Sequence, residues 1–309
     1  MTSLKGKALV AYLLICTVWG STFLAIRVGV ATIPPLLFAG GRFLAAGLLL
    51  GGGILMMGQV PPRTRRDWLT LAVSGTLLLV SGNAVVVWAE QSVESGTASV
   101  FAASVPLWTA FFDTVIPGGS TKLTWHLLTG LALGFLGCAI LAGVTPAQFA
   151  EADLRGPVAL ILASASWALG TVIMKRRPTD TTPYVTAAGQ MAIGGAILVA
   201  AGVLTHQTGH LHANWQGTAA LGYVIVFGSI IGYTAYAYAI RHLSPTIVGT
   251  YAFVNPIVAV LLGWLILDEA ITLRMVAAMI LVLGAVILIQ FAPAWQTRAA
   301  VARRTRANA

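Results

Sequence analysis

The sequence predicts an all-α membrane protein of ten transmembrane helices, arranged as two inverted five-helix repeats with both termini in the cytoplasm. Three features predict this fold class. The chain is strongly apolar and its apolar residues fall into blocks, a weak internal repeat relates the two halves, and basic residues gather in alternate joints between the blocks.

The composition excludes an ordinary soluble domain. Of the 309 residues, 58% are hydrophobic and 9% are charged, whereas soluble chains average about 25% charged residues. A helix needs roughly 20 apolar residues to cross a bilayer, and the blocks have this length. The predicted spans are 8–26, 34–57, 68–89, 95–116, 123–144, 157–174, 183–204, 217–239, 245–267 and 272–291. The joints are too short for a soluble domain, so we expect the function to lie within the bilayer.

The basic residues predict the orientation. With the N-terminus in the cytoplasm, fourteen Lys and Arg residues lie inside and only Arg27, Arg155 and Arg274 lie outside. Such a bias is typical of the positive-inside rule. Because these residues are spread over alternate joints, the net charge of +9 indicates membrane orientation, and we expect a lipid bilayer and no nucleic acid as partner.

The first apolar block and the two cysteines add no processing or redox site. The block that follows Lys5 and Lys7 is long for a signal peptide and lacks a small-x-small cleavage site, so we interpret it as an uncleaved first helix. Cys16 and Cys138 both lie in apolar spans and are expected to pack there, since they form neither a disulfide framework nor a metal-ligand spacing.

An internal repeat relates the two halves at an offset of 148 residues, which rises to 150 after the middle of each half. The matched pairs include Trp19 with Trp167, Arg27 with Lys175, Pro35 with Pro183, Arg42 with Gln190, Gly47 with Gly195, Gly82 with Gly232, Trp88 with Tyr238, Phe101 with Tyr251, Pro106 with Pro256 and Gly134 with Gly284. The repeat divides the chain into a first unit at 1–144, an external linker at 145–156, a second unit at 157–291 and a basic cytoplasmic tail at 292–309.

Because each unit holds five spans, the second unit enters the membrane from the opposite side to the first. Transporters use such inverted repeats, since a pseudo-two-fold axis in the membrane plane gives two interconvertible shapes around a site near the midplane. The repeat therefore predicts alternating access. A static receptor or scaffold without transport remains the alternative from another class.

Several stretches resemble the EamA family of the drug/metabolite transporter superfamily, in its ten-helix form. They cover nearly the whole chain and keep a specific order. They are Val18 to Phe23, Arg42 to Gly47, Trp88 to Gln91, Ser95 to Ala98, Val105 to Leu107, Ser166 to Ala168, Ser244 to Thr246, Tyr251 to Pro256, and Asp268-Glu269.

The resemblance implies a bacterial inner-membrane permease that moves metabolites such as amino acids, often as efflux. It also implies an acidic residue after the fourth helix to match Asp268-Glu269 after the ninth. This sequence instead has Ile116-Pro117-Gly118-Gly119 there, which argues against a symmetric role for the two acids.

Arg42 is the sharpest candidate for substrate binding. It lies about eight residues, or roughly 12 Å, inside the second predicted span, where a charge must face protein or water. We expect it to bind a carboxylate or other anionic group, with its repeat mate Gln190 as a neutral donor opposite. The alternative is a structural arginine that contacts a helix-end carbonyl or Glu90.

Other candidates for the substrate path are prolines that interrupt helix hydrogen bonding, buried amides and hydroxyls, and aromatic residues that could stack on a solute. These candidates are Trp19, Asn83, Trp88, Ser99, Pro106, Trp108, Trp167, Tyr238, Thr250, Tyr251, Asn255 and Pro256. Pro106 and Pro256 are also candidate pivots. Interface anchoring and core packing are the competing explanations for the aromatic residues.

Coupling to protons has one candidate acid. Glu90 lies at the external end of the third helix, directly after the predicted span and on the same side as Arg42. It could exchange a proton during transport, whereas facilitated export needs no such residue. His206, His210 and His212 lie in a predicted loop with no cysteine or nearby acid, so we expect no metal site. We also expect no cofactor.

The remaining expectations concern alternatives and partners. Because Arg42 favours a carboxylate, a multidrug or cation exporter is the second choice of function. The spans contain no nucleophile with a base, paired acids or metal cluster, so an intramembrane enzyme is not expected. The helices with Gly134 and Gly284 are candidates for packing the two halves or for a homodimer, because small residues let membrane helices approach closely.

Overall fold

The computed structural model describes residues 2–117, 124–142, 154–212, 214–242, 248, 251–285 and 287–288. Most of the predicted linker, the predicted tail, Thr250 and the side chain of Cys138 lie outside the described residues. The apolar helices along the described parts of the chain are α1 Thr2–Val30, α2 Pro35–Met56, α3 Arg65–Ala89, α4 Ser95–Val115, α5 Trp125–Ala142, α6 Arg155–Arg176, α7 Pro183–Leu204, α8 Trp215–His242, α9 Tyr251–Leu267 and α10 Leu273–Ala285.

Seven of these helices, α1 to α4 and α6 to α8, are long and apolar enough to cross a membrane. The others contain shorter apolar stretches, at Trp125–Gly137, Val254–Leu267 and Leu273–Ala285. The expected all-helical membrane architecture is therefore confirmed, while the ten spans, the inversion of the repeat and the cytoplasmic termini stay predictions.

Local sequence signals set where several helices begin. Pro35 and Pro183 occupy the first turn of α2 and α7, where the missing N–H of proline costs nothing because helix N-termini leave these groups unpaired. Thr64 accepts a hydrogen bond from the Asp67 N–H at 3.0 Å at the start of α3. Asn214 accepts one from the Gly217 N–H at 2.8 Å at the start of α8. Such caps satisfy the first free backbone donors of a helix.

Contacts between helix ends show that successive helices run in opposite directions. At one end of the bundle, here named the Glu90 end, Arg27 of α1 donates a hydrogen bond to the Glu90 carbonyl after α3. Pro35 at the start of α2 lines a pocket with Trp88 and Gln91 at this end too. At the opposite end, named the Arg176 end, the Arg176 guanidinium of α6 pairs with the Asp113 carboxylate of α4 at 2.8 Å.

Two long helices each contain a π-helical segment, and a third is interrupted. The segments are Thr76–Ala84 in α3 and Val224–Tyr233 in α8. Helix α4 breaks between its segments Ser95–Ala102 and Val105–Val115, and Pro106 lies in the first turn of the second segment. Since π-helical segments are frequently found at functional sites, the irregular parts of these three helices indicate a candidate site within the bundle.

The closest helix crossing in the core joins α2 to α7. A Cβ atom on Gly47 would lie 2.4 Å from the Ala192 nitrogen, and one on Gly195 would lie 2.2 Å from the Leu44 nitrogen. Both glycines and both partners are related by the 148-residue offset of the sequence repeat. Each half therefore contributes one glycine to this crossing, and at each glycine the two backbones are in direct contact.

Helices α5 and α10 pack against each other within the chain. A Cβ atom on Gly137 would lie 2.9 Å from a methyl carbon of Val282, and one on Gly134 would lie 3.4 Å from Ala285. The packing role expected for Gly134 is thus visible inside one protomer. A homodimer through these helices stays a prediction.

The crossing of α2 and α7 gives a stability prediction. We expect Gly47→Ala to lower the free energy of unfolding by about 1 to 3 kcal/mol, because the added methyl group overlaps a rigid backbone. Gly52→Ala on the same helix is the matched control, since its Cβ would meet nothing within 4 Å. Thermal unfolding of the purified variants in detergent is the measurement, and equal melting temperatures for the two variants would contradict the close crossing.

A candidate substrate cavity around Arg42

A cavity with about 780 Å³ of empty space lies in the middle of the bundle. Residues of α1, α2, α3, α4, α6, α8 and α9 line this central cavity. Its lining is mostly apolar with a few polar groups, as in pockets for small molecules. The π-helical segments of α3 and α8 and the break in α4 all contribute lining residues, so the irregular parts of the helices surround this space.

Arg42 projects from α2 into the wall of the central cavity and is only 3% exposed. Its Nε donates to Ser229 Oγ at 2.7 Å, and its Nη1 donates to Asn83 Oδ1 at 3.3 Å. Its guanidinium also lies 4.7 Å from the centre of the Phe43 ring. Within the described part of the chain, no carboxylate forms a salt bridge with Arg42. The hydrogen-bond partners therefore orient the guanidinium without neutralising its charge.

Glycines of α8 leave the room that Arg42 and Trp19 occupy. A Cβ atom on Gly228 would lie 3.0 Å from Arg42 Nη2, and one on Gly232 would lie 2.5 Å from Trp19 Nε1. The Gly228 carbonyl accepts a hydrogen bond from Trp19 Nε1 at 3.1 Å. The π-helical segment of α8 thus supplies an acceptor for Trp19 and Ser229 as an acceptor for Arg42.

A layer of aromatic rings closes one side of the central cavity. Trp19 lies at the centre of this layer, with ring centroids 5.6 Å from Trp167, 5.0 Å from Tyr236 and 5.3 Å from Tyr251. Tyr233 continues the layer, 6.1 Å from Tyr236. Edge-to-face and tilted ring pairs of this kind pack densely. The layer, made of these five residues, separates the central cavity from the Arg176 end.

The Oδ1 acceptor of Asn255, in the cavity lining, is buried and has no hydrogen-bond partner among the described residues. Buried polar groups in folded proteins are almost always paired. An acceptor left open in the cavity wall is what a polar solute would use.

The Glu90 end holds a cluster of charges. Glu269 caps the start of α4: its carboxylate accepts from the Ser95 N–H at 2.9 Å, from Ser95 Oγ at 2.8 Å and from the Gly96 N–H at 3.1 Å. A carboxylate at a helix N-terminus pairs with backbone N–H groups that have no partner within the helix. This capping contact is sufficient to account for the presence of Glu269.

Glu90 lies beside this cap, directly after the end of α3, and its side chain is fully buried. Neither carboxylate oxygen has a hydrogen-bond partner among the described residues. Burial, and then the charge of Glu269, raises the pKa of Glu90, while Arg27 and Arg42 act in the opposite direction. The carboxyl group therefore keeps its proton to a higher pH than a free glutamate does.

Eight of the sequence-predicted path residues line the central cavity. They are Trp19, Arg42, Asn83, Ser99, Trp167, Tyr251, Asn255 and Pro256. Ser99 uses its hydroxyl to donate to the Gly96 carbonyl at 2.6 Å, so its oxygen remains an acceptor toward the cavity. Pro256 lies inside α9 without ending it.

The other predicted residues lie elsewhere. Trp88 is 43% exposed in a shallow pocket of the Glu90 end. Pro106 is buried next to the cavity but outside its lining, and Trp108 packs among aromatic residues, 4.9 Å from the Phe135 ring. Tyr238 stacks on His242 at 4.1 Å. Thr250 lies outside the described residues.

Gln190 is not brought opposite Arg42. It is fully buried and lines a second pocket, on the Arg176 side of the aromatic layer. Its Nε2 donates to Ser74 Oγ at 2.7 Å, and its Oε1 accepts from the Tyr233 hydroxyl at 2.8 Å. The two repeat mates therefore lie on opposite sides of the layer.

Sequence reasoning missed Ser229 and Tyr233, which contact Arg42 and Gln190 respectively. Both lie in the π-helical segment of α8, where the turn is wider than the 3.6 residues assumed in a helical face. The sequence did carry a signal: within an otherwise apolar span, a glycine is twice followed directly by a hydroxyl-bearing residue, at Gly228-Ser229 and at Gly232-Tyr233.

Comparison with known proteins places the chain among membrane transporters. The model of the EamA-like transporter family matches twice, at residues 6–143 and 154–291. The chain is 40% identical over 250 residues to the uncharacterized inner membrane transporter YedA of Escherichia coli K12, covering 80% of this chain and 78% of that protein. It is 28% identical to the uncharacterized transporter YvbV of Bacillus subtilis, covering 96% and 95%.

Two further similarities extend over most of the chain. The chain is 25% identical to protein PecM of Dickeya dadantii, with coverage of 88% of this chain and 89% of that protein. One crystal structure, at 18% identity, matches with a TM-score of 0.65 over 92% of this chain and 96% of the other, which shows the shared fold alone. With its apolar helices, the chain is a multi-pass inner-membrane protein, and it belongs to the EamA-like transporter family.

Proposed function

We propose that this transporter moves a small carboxylate-bearing metabolite, an amino acid or a related compound, by alternating access and in the direction of efflux. The observation that carries the substrate class is Arg42, a buried charge in the cavity wall whose hydrogen-bond partners, Ser229 and Asn83, are both neutral. A solute carboxylate would supply the missing negative charge.

The energetic argument rests on desolvation. An arginine removed from water is costly inside a membrane protein unless it is paired. Carboxylates fit the planar guanidinium with strong, charge-assisted hydrogen bonds. Ser229 and Asn83 hold Arg42 in place before the solute arrives, so less conformational entropy is lost on binding.

The rest of the cavity defines the other half of the solute. Asn255 Oδ1 can accept a hydrogen bond from an ammonium or hydroxyl group. The walls also include Phe23, Ile26 and Leu79, which favour an apolar body. A solute with a carboxylate, a second polar group and an apolar portion is complementary to this set, whereas a purely cationic drug would meet the charge of Arg42.

Alternating access is supported by the arrangement of barriers. The aromatic layer separates the central cavity from the second pocket at the Arg176 end, so a solute at Arg42 has a closed side. The break in α4 before Pro106 removes regular helix hydrogen bonds. Pro256 lies inside α9, where a proline removes one backbone hydrogen bond. We propose these two places as the pivots of the movement.

We also propose Glu90 as the acid that couples transport to protons. Arg27 from α1, Arg42 from α2 and Glu269 after α9 all act on its carboxyl group. When Glu90 is ionised, it compensates the charge of Arg42 and competes with a solute carboxylate. When Glu90 is protonated, this competition ends.

The binding role of Arg42 can be tested with a glutamine substitution. We expect Arg42→Gln to weaken binding of a carboxylate found in a thermal-shift screen of metabolites by about 2 to 5 kcal/mol, the usual cost of removing one member of a buried charge pair. Glutamine suits this position because the repeat mate Gln190 is accommodated at the equivalent depth. Isothermal titration of the purified protein gives the affinities.

The amide derivative of the same metabolite is the control ligand, because it keeps the shape and loses the charge. We expect Arg42→Gln to leave the weaker affinity for the amide unchanged. Equal affinities of the wild type and Arg42→Gln for the carboxylate, with both proteins folded, would exclude Arg42 as the binding residue. Flux of the carboxylate in liposomes separates a transporter from a receptor that only binds it.

Proton coupling predicts a pH dependence with a defined sign. Because burial raises the pKa of Glu90, its neutral form persists to a higher pH than that of a free glutamate, and we expect carboxylate affinity to fall as pH rises through that pKa. Glu90→Gln should abolish this dependence and keep the high affinity. Glu94→Gln, at an exposed carboxylate four residues away, should leave it intact. Flux in liposomes that ignores an imposed pH gradient would rule out the coupling.

A further inference from the structure

A second pocket, with about 860 Å³ of empty space, opens at the Arg176 end of the bundle. Its lining combines basic side chains with hydroxyl and amide groups. The basic residues are Lys175, Arg177 and Arg241, and the neutral polar residues are Thr70, Ser74, Thr179, Thr186 and Gln190. No acidic side chain lines this pocket in the described part of the chain; Asp180, exposed at the same end, is outside the lining.

The floor of this pocket is continuous with the wall of the central cavity. Gln190 at the floor accepts a hydrogen bond from the Tyr233 hydroxyl at 2.8 Å, and Tyr233 also lines the central cavity. On the pocket side, Gln190 donates to Ser74 at 2.7 Å. Within the aromatic layer, the hydrogen-bonded pair of Tyr233 and Gln190 therefore lies between the two spaces.

The sequence repeat relates the two spaces as well. Gln190 and Met174 line the pocket, and their mates at the 148-residue offset, Arg42 and Ile26, line the central cavity. Lys175 in the pocket lining corresponds to Arg27 near the Glu90 end. The repeat thus relates two lining residues of the pocket to two lining residues of the central cavity.

We propose that this pocket is an anion-collecting vestibule, in which Lys175, Arg177 and Arg241 concentrate the carboxylate-bearing solute before it passes the Tyr233–Gln190 barrier. The proposal rests on the proposed function for the class of solute. A cleft lined by charges of one sign focuses the field and raises the local concentration of counter-ions.

The potential can be measured without knowing the solute. Cys16 and Cys138 are first replaced by serine, and a single cysteine is introduced at Thr179 or, independently, at Thr186, both in the pocket lining. Each protein is reacted with a negatively charged sulfonatoethyl methanethiosulfonate and a positively charged trimethylammonioethyl methanethiosulfonate. The ratio of the two rate constants reports the potential, because the ionisation of the cysteine affects both reagents equally.

We expect the anionic reagent to be favoured in the pocket, and Lys175→Gln/Arg177→Gln to reduce the rate ratio roughly tenfold at low ionic strength. The effect should shrink in salt of about 0.15 M, where charges are screened beyond about 8 Å. Arg63→Gln/Arg65→Gln is the matched control: it removes two charges at the same end, outside the pocket lining, and should leave the ratio nearly unchanged.

Three outcomes would overturn the vestibule: cysteines at both positions that react with neither reagent, a ratio that Lys175→Gln/Arg177→Gln does not change, or an equal change in the control. Melting temperatures of the variants show that they are folded. Since no solute is present, this experiment is independent of the Arg42 titration. The vestibule proposal can therefore fail while the Arg42 titration still supports the proposed function, and the proposed function can fail while the vestibule potential is still observed.

Discussion

The crossing of α2 with α7 is the constraint on which the rest of the bundle depends. Gly47 and Gly195 let two backbones meet with no side chain between them, and a membrane helix has little hydrophobic driving force to hold its neighbours otherwise, since lipid tails are as apolar as leucine. Arg42 and Gln190 lie on these two helices, five residues before each glycine. The close approach thus fixes the two polar residues at the centre of the protein.

A second symmetric contact joins the first helix of each half to the third helix of the other. Trp19 packs on Gly232 of α8, and Trp167 packs on Gly82 of α3, where a Cβ would lie 2.5 and 3.3 Å from the respective indole. Both glycines lie in π-helical segments, whose wider turns leave carbonyls available, as the bond from Trp19 to the Gly228 carbonyl shows. The irregular helices are therefore how the bundle accommodates large rings at its centre.

The repeat-related residues Arg42 and Gln190 differ in charge and in their hydrogen bonds. Arg42 faces the central cavity with a charge, whereas Gln190 faces the vestibule with a neutral amide already bound to Ser74 and Tyr233. A solute at Arg42 gains a charge-assisted contact, and one at Gln190 must compete with existing hydrogen bonds. In the proposed cycle, Arg42 is therefore the site of higher affinity. The basic residues of the vestibule act over a longer distance and bind the solute more weakly.

The sequence by itself determined the apolar helices, the membrane setting and eight residues of the cavity lining, because the length of an apolar run and the cost of a buried charge are local properties. Arg42, Asn83 and Asn255 could be identified as polar residues at depth for that reason. Only the tertiary structure decided which of them meet. Trp108 does not line the cavity, because its face of α4 packs against α5. Ser229 does contact Arg42, because a π-helical turn changes which residues of α8 face the cavity. Gln190 separated from Arg42 because the aromatic layer lies between them, and no spacing along the chain records on which side of a barrier a side chain falls.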